Sequence, residues 1–135
     1  GIFLTSGDGV GTMNATVSGN TITEPNVAAF ATNGVHLISG TTLTDSGTVC
    51  LQLTSNSLTG SGKNSFVGEE DIRVRQRFDT KVFLPGYAGA ATDTAGVRTL
   101  IIANNGGTPT ASVATSGLAG AGYFSAASCP QPATP

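Results

Sequence analysis

The feature that most constrains this chain is an internal repeat of two strand-like blocks. Residues 1–7, Gly-Ile-Phe-Leu-Thr-Ser-Gly, align with residues 34–40 at an offset of 33, and residues 71–75 continue the series 37 further on. A second block at residues 15–23 aligns with residues 51–59 at an offset of 36. Two strand motifs that recur once every 33 to 37 residues are typical of the stacked coils of a solenoid.

Within each block, apolar residues alternate with other residues, which predicts β-strands with one buried face. Stacking the blocks makes these strands parallel and in register, so equivalent residues form columns along the stack. The residues predicted to be buried in such columns are Ile2, Leu4, Val17, Val35, Leu37, Leu53, Ile72 and Val74. A register shifted by one residue would instead bury His36 and Arg73.

Asn20 and Asn56 occupy the same place after their strands in the second block. Asparagine tolerates the left-handed turn conformation, and its amide can bond to the equivalent residue about 4.8 Å away on the next coil. The alignment therefore predicts an asparagine ladder, in preference to two unrelated loops.

These strings resemble those of the right-handed parallel β-helix repeat proteins secreted by bacteria, whose coils carry sequences such as Gly-Ile-x-Leu and Val-Ser-Gly-Asn-Thr-Ile. The resemblance covers residues 1–78, and the strings at residues 47–51, 71–78 and 84–87 look like the C-terminal end of such surface proteins. It implies an all-β fold, a right-handed parallel β-helix of about three coils. Because the family spans adhesins, structural repeats and polysaccharide-cleaving enzymes, the resemblance implies fold and export more firmly than function.

The chain is expected to be a single β-helix domain over residues 1–135, with regular coils in residues 1–78. Residues 79–135 are assigned to a last coil, loops and a cap. Within residues 97–103, the continuous Leu100-Ile101-Ile102 predicts a strand that is covered on both faces. Such a strand suits a last coil, because a solenoid must cover its terminal strand edges.

The N-terminal side, by contrast, enters directly into a core strand with no helix or charged edge before it. Phe3 and Ile38 are apolar at outward positions, next to the core residues Ile2 and Leu4. We expect these four residues to form a contact with missing upstream chain or with another molecule. A head-to-tail contact between copies does not close, so it would build a filament by end-to-end strand pairing.

The two cysteines, Cys50 and Cys129, cannot make a four-ligand zinc site with the lone His36. Alternation places Cys50 on the outer wall, where a returning tail can bring Cys129. A disulfide is the better interpretation. It predicts an oxidising compartment, that is, an extracellular or cell-surface location.

Charge and residue inventory argue against several functions. Only six Lys or Arg residues are present, too few to neutralise a nucleic acid, and no apolar run approaches the roughly 20 residues of a membrane span. Asp8, Asp45, Asp79 and Asp93 are scattered, so no carboxylate cluster for calcium or catalysis can be assembled. We expect no enzyme activity, no metal and no cofactor.

Three arginines, Arg73, Arg75 and Arg77, alternate with Ile72, Val74 and Gln76 and therefore predict a basic stripe on the outside of one strand. Arginine suits a sulfated or uronate glycan, or an acidic neighbour. The competing explanation is that the stripe pairs with Glu69, Glu70 and Asp79 of the same chain.

The sequence thus favours a non-enzymatic structural or adhesive domain of a secreted cell-surface protein, assembling head-to-tail into an extracellular filament. The alternatives are a carbohydrate-binding module, or a remnant of a β-helix enzyme that acts on polysaccharide.

Overall fold

The structure, a computed structural model of the chain, describes residues 1–24, 32–63, 68–116 and 118–130. It contains eight strands and one helix. In chain order they are β1 (Ile2–Ser6), β2 (Thr12–Ser18), β3 (Val35–Ser39), β4 (Thr48–Thr54), β5 (Ile72–Gln76), β6 (Lys81–Pro85), α1 (Thr94–Ala103), β7 (Ala111–Ala114) and β8 (Gly122–Ala126).

The strands form two four-stranded parallel sheets, and successive strands of the chain alternate between them. Sheet I has the order β1-β3-β5-β7 and sheet II has the order β2-β4-β6-β8. In sheet I, Ile2 pairs with Val35 and Val35 pairs with Ile72, so the repeat of the sequence is the register of the sheet. Single parallel bridges join Thr21 to Ser57 and Ser57 to Gly106 outside both sheets.

One apolar core lies between the two sheets, and both contribute alternate residues to it. Six of the eight residues predicted to be buried are buried: Val17, Val35, Leu37, Leu53, Ile72 and Val74. The remaining two, Ile2 and Leu4 on β1, are only partly buried. The predicted face and register are therefore confirmed, and the first strand is less covered than its neighbours.

The prediction of a strand at residues 97–103 is wrong, because this segment lies in α1. The Asp93 side chain caps the helix by accepting the Gly96 N–H at 2.9 Å. Val97 and Ile101, four residues apart, are buried on one face of the helix. A helix that packs one face on a core requires apolar residues three or four positions apart, as Val97 and Ile101 are. The continuous Leu100-Ile101-Ile102, in contrast, favours a strand.

Strand pairing continues beyond Phe78, through β6 and β7 to β8, so each sheet has four strands where about three coils were expected. Residues 131–135 of the predicted cap lie outside the described residues.

Asp45 ties the turns between the sheets together. Its buried carboxylate accepts the backbone N–H groups of Thr41 and Thr42, and of Gly9 in the preceding turn. These donors hold the pKa of Asp45 well below its usual range, although burial acts in the opposite direction. Asp45, like Asp93, therefore has a structural role.

Candidate functional site

The outward-facing residues of sheet I form two columns, which the strand register defines. The first column is Phe3, His36, Arg73 and Ser112, and the second is Thr5, Ile38, Arg75 and Ala114. Neighbouring members of a column are about 4.8 Å apart, and the two columns are about 7 Å apart along each strand. We call this surface the arginine face.

Arg73 and Arg75 lie side by side on β5, as predicted, but Arg77 does not extend the strand. β5 ends at Gln76, and the Arg77 guanidinium lies over the ring of Phe78, 4.8 Å from its centroid. The predicted stripe of three arginines is therefore a pair, with the third held in a cation–π contact.

The acidic residues predicted to neutralise the stripe do not pair with it. Within the described part of the chain, no carboxylate of Glu69, Glu70 or Asp79 lies within 4.0 Å of an arginine nitrogen of the stripe. The Glu70 carboxylate instead accepts the N–H of Gly68. Partial burial and the charges of Arg73 and Arg77 lower the pKa of Arg75, which is the effect expected of cations without a local counterion.

His36 stands between the aromatic and the cationic parts of the arginine face. Its ring meets the Phe3 ring edge-on, with centroids 5.2 Å apart. Its Nε2 is shielded from solvent and has no hydrogen-bond partner among the residues that the structure describes. Burial, together with the charges of Arg73 and Arg75, lowers the pKa of His36 to about 4. The imidazole is therefore neutral at physiological pH and adds no positive charge.

Among the described residues, the first strand of each sheet has a neighbour on one side only, so β1 and β2 present backbone edges that no described strand pairs. Ile2 and Leu4 are partly buried, whereas their register partners Val35 and Leu37 are completely buried. Sheet II shows the same gradient, with Met13 and Ala15 on β2 less covered than the residues opposite them on β4. We call the surface made by β1 and β2 the open end.

Phe3 is 60% exposed beside the open end, as the sequence predicted, whereas Ile38 is partly buried between Thr5 and Arg75. The partly covered apolar surface at this end also includes Met13 and Ala15 on the second strand, which the prediction from the sequence did not include. The sequence repeat could have indicated these residues, because β2 is the first strand of the second block and pairs with β4 as β1 pairs with β3.

Asn20 and Asn56 form the predicted ladder, and a third residue, Asn105, extends it. The backbone N–H and Nδ2 of Asn20 donate to Asn56 Oδ1 at 3.0 and 2.9 Å, and those of Asn56 donate to Asn105 Oδ1 at 3.1 and 2.8 Å. Asn105 Nδ2 donates to the carbonyl groups of Leu53 and Ile101, which ends the ladder. Within the described residues, Asn20 Oδ1 accepts no hydrogen bond, so the ladder is incomplete at the open end.

The cysteine sulfurs lie at bonding distance, with 2.10 Å between Cys50 Sγ and Cys129 Sγ, in agreement with the predicted pairing. Cys50 is on β4 at an outward position, and the pair fastens the segment after β8 to the wall of sheet II. The rings of Phe83 and Phe124, which follow Cys50 in its column, lie 5.6 Å apart.

An open cleft of about 510 Å³ lies between α1 and β7. Glu70 and Arg98 are the charged residues of its lining, and Ser112 belongs both to this lining and to the first column of the arginine face. Because the sequence predicted a strand where α1 lies, it gave no indication of this cleft.

The described residues contain no group of three or more His, Cys, Asp or Glu side chains that could hold a metal ion. Among the same residues, no helix has the length and apolar character needed to cross a bilayer. Comparison of the chain with protein-family models, with curated proteins and with solved structures gave no match.

Proposed function

We propose that this chain is a short right-handed parallel β-helix that serves as a non-enzymatic structural unit of a secreted or cell-surface protein. In this interpretation each coil consists of one strand of sheet I, one strand of sheet II and a turn at the asparagine ladder. The alternation of the chain between two parallel sheets supports the coiled path. The Cys50–Cys129 pair is compatible with an extracellular location.

The observation that carries the proposed role is the incompleteness of the open end. It combines unpaired strand edges, half-covered core residues and an unused ladder acceptor, Asn20 Oδ1. Unpaired parallel strands beside apolar side chains are templates for another strand-bearing surface. We therefore infer that the unit works by end-to-end stacking.

The occupant we propose is a second copy of the chain, whose β7 and β8 meet the open end. These two strands also have a neighbour on one side only. Placing β1 of one copy after β7 of another, and β2 after β8, continues each sheet in the same parallel sense. Three columns of inward residues then continue across the joint: Ala111 meets Ile2, Val113 meets Leu4 and Tyr123 meets Met13. Such a joint repeats without closing, so it produces a filament.

Cysteine cross-linking tests this register directly. Thr5 and Ala114 are exposed and belong to one outward column, so they face each other across the proposed joint. In the double variant Thr5→Cys/Ala114→Cys, the two Cα atoms come within about 5 Å, which a disulfide can span. Oxidation at micromolar concentration should yield a ladder of covalent multimers on a non-reducing gel, and electron microscopy should show filaments.

The matched control is Thr5→Cys/Ser112→Cys, which moves one cysteine two residues along β7 and out of disulfide reach. It should cross-link at least about tenfold more slowly. Leu4→Lys, which places a charge at the open end of the core, should leave the monomer folded and abolish the multimers. Native protein that stays monomeric at micromolar concentration, or equal cross-linking of the two double variants, would refute the stacking proposal.

A further inference from the structure

The arginine face carries positive charge that the fold itself does not use. Arg73 and Arg75 lie on a central strand of sheet I, and within the described residues neither pairs with a carboxylate. The Arg73 guanidinium rests against the backbone of Gly68, close enough that an added Cβ there would lie 2.8 Å from Arg73 Cζ. This contact positions the side chain without neutralising it.

Apolar and polar groups continue the face in both directions from these arginines. On one side, His36 and then the exposed ring of Phe3 follow Arg73 in the same column. On the other side, Ser112 leads into the cleft beside α1, where Arg98 supplies another cation. The acidic residue of that cleft, Glu70, is held by the Gly68 N–H. The arginine face thus runs from the aromatic ring of Phe3, past the guanidinium groups of Arg73 and Arg75, to a concave surface beside Ser112.

We propose that the arginine face binds an extended anionic polysaccharide, with its carboxylate or sulfate groups on Arg73 and Arg75 and a sugar ring against Phe3. Guanidinium groups bind such oxyanions through paired, charge-assisted hydrogen bonds. The site shares β1 with the open end through Phe3, but its residues lie on the outward face of sheet I, so binding does not depend on stacking between copies.

An acidic polypeptide is less suited to this surface. Both β3 and β5, which carry His36 and the two arginines, already have a neighbouring strand on each side, so no backbone edge is available beside the arginines for strand addition. A polypeptide would have to bind by side chains alone. A sugar chain, in contrast, offers ring faces for Phe3 and anionic groups for the arginines.

Binding can be measured by fluorescence anisotropy with labelled dextran sulfate and labelled polygalacturonate, at nanomolar protein concentration to avoid stacking. Neutral dextran is the ligand control. The double variant Arg73→Gln/Arg75→Gln should weaken binding of whichever anionic polymer binds by at least about tenfold, since each lost charged hydrogen bond costs about that factor. Binding of the native chain should also weaken as salt is raised.

Arg77→Gln is the protein control, since it removes one positive charge close to Arg75 and leaves the residues of both columns in place. It should change the dissociation constant by less than about threefold, whereas Phe3→Ala should weaken binding by about threefold to tenfold. Unchanged thermal unfolding of each variant shows that the fold is retained.

The proposal is overturned if neither anionic polymer binds, if neutral dextran binds equally well, or if Arg77→Gln weakens binding as much as the double variant does. Tighter binding of polyglutamate than of both polysaccharides would also overturn it, in favour of an acidic polypeptide. The relative affinity for dextran sulfate and polygalacturonate shows whether the face prefers sulfate or carboxylate groups.

Discussion

Truncating one leucine on each of two neighbouring strands of sheet I tests whether the core is open at its first strand. Leu4 and Leu37 belong to the same inward column, and Leu37 is 0% exposed whereas Leu4 is only partly buried. Leu37→Ala removes three buried carbon atoms, worth about 2.4 kcal/mol at ~0.8 kcal/mol each. The cavity left between the sheets raises the expected loss of stability to about 3.5 kcal/mol.

Leu4→Ala should cost only about 1.5 to 2 kcal/mol in the monomer, because part of the side chain is already in contact with solvent and no closed cavity forms. Urea unfolding followed by circular dichroism gives both values, at a protein concentration where light scattering shows monomers. The slope of the transition should be unchanged, since the same surface is exposed on unfolding. Equal losses for the two variants would mean that the first strand is covered within the monomer, and the argument for an open end would fail.

Three further predictions concern the disulfide, the ladder and the histidine. Replacing Cys50 and Cys129 with serine should lower stability by about 4.5 kcal/mol in the simple loop-entropy model, for a separation of 79 residues, and reductant should destabilise only the native protein in thermal unfolding. Asn56→Ala leaves buried backbone groups without partners and should lower the free energy of unfolding in urea by about 3 kcal/mol. The partly exposed Asn20, at the open end of the ladder, should cost less than about 1 kcal/mol when replaced with alanine. Equal costs would contradict a ladder that is buried at Asn56 and open at Asn20. Because the pKa of His36 falls from 6.5 to about 4 on folding, the folded state binds fewer protons in this range, so stability should decrease as the pH falls from about 6.5 to about 4. Solvent screening limits that loss to about 1 kcal/mol, and a His36→Gln variant that keeps the same pH dependence would show that another group is responsible.

Local sequence determined the strands and their faces. In the blocks around Val35 and Ile72, alternation specifies which side chains point inward, and the repeat offset specifies which residues are neighbours in the sheet. Both signals follow from the period of two along a strand and from the similarity of successive sequence repeats, and neither requires knowledge of distant contacts. The pairing of Cys50 with Cys129 could also be predicted, because only one pairing is possible.

Other features depend on contacts made by segments whose lengths differ from one repeat to the next. Only the tertiary structure decided these features. Leu100 to Ile102 are compatible with a strand or a helix, and the choice of α1 depends on the core surface that Val97 and Ile101 cover. Asn105 joins the ladder although 49 residues separate it from Asn56, compared with 36 between Asn56 and Asn20, so no constant offset reveals it.

The tertiary structure also decided which charged side chains pair with each other. The sequence places Arg73 and Arg75 on one strand face and puts Glu69 and Glu70 directly before them. Whether neighbouring charges neutralise each other depends on side-chain directions, and Glu70 turns to the Gly68 N–H instead. Periodicity and repeat length therefore determined the strands, their register and the inward face, since these depend on local backbone geometry. The tertiary structure decided helix α1, the third ladder residue and the absence of a carboxylate partner for Arg73 and Arg75 within the described residues. Each of these depends on which distant groups compete for the same contact.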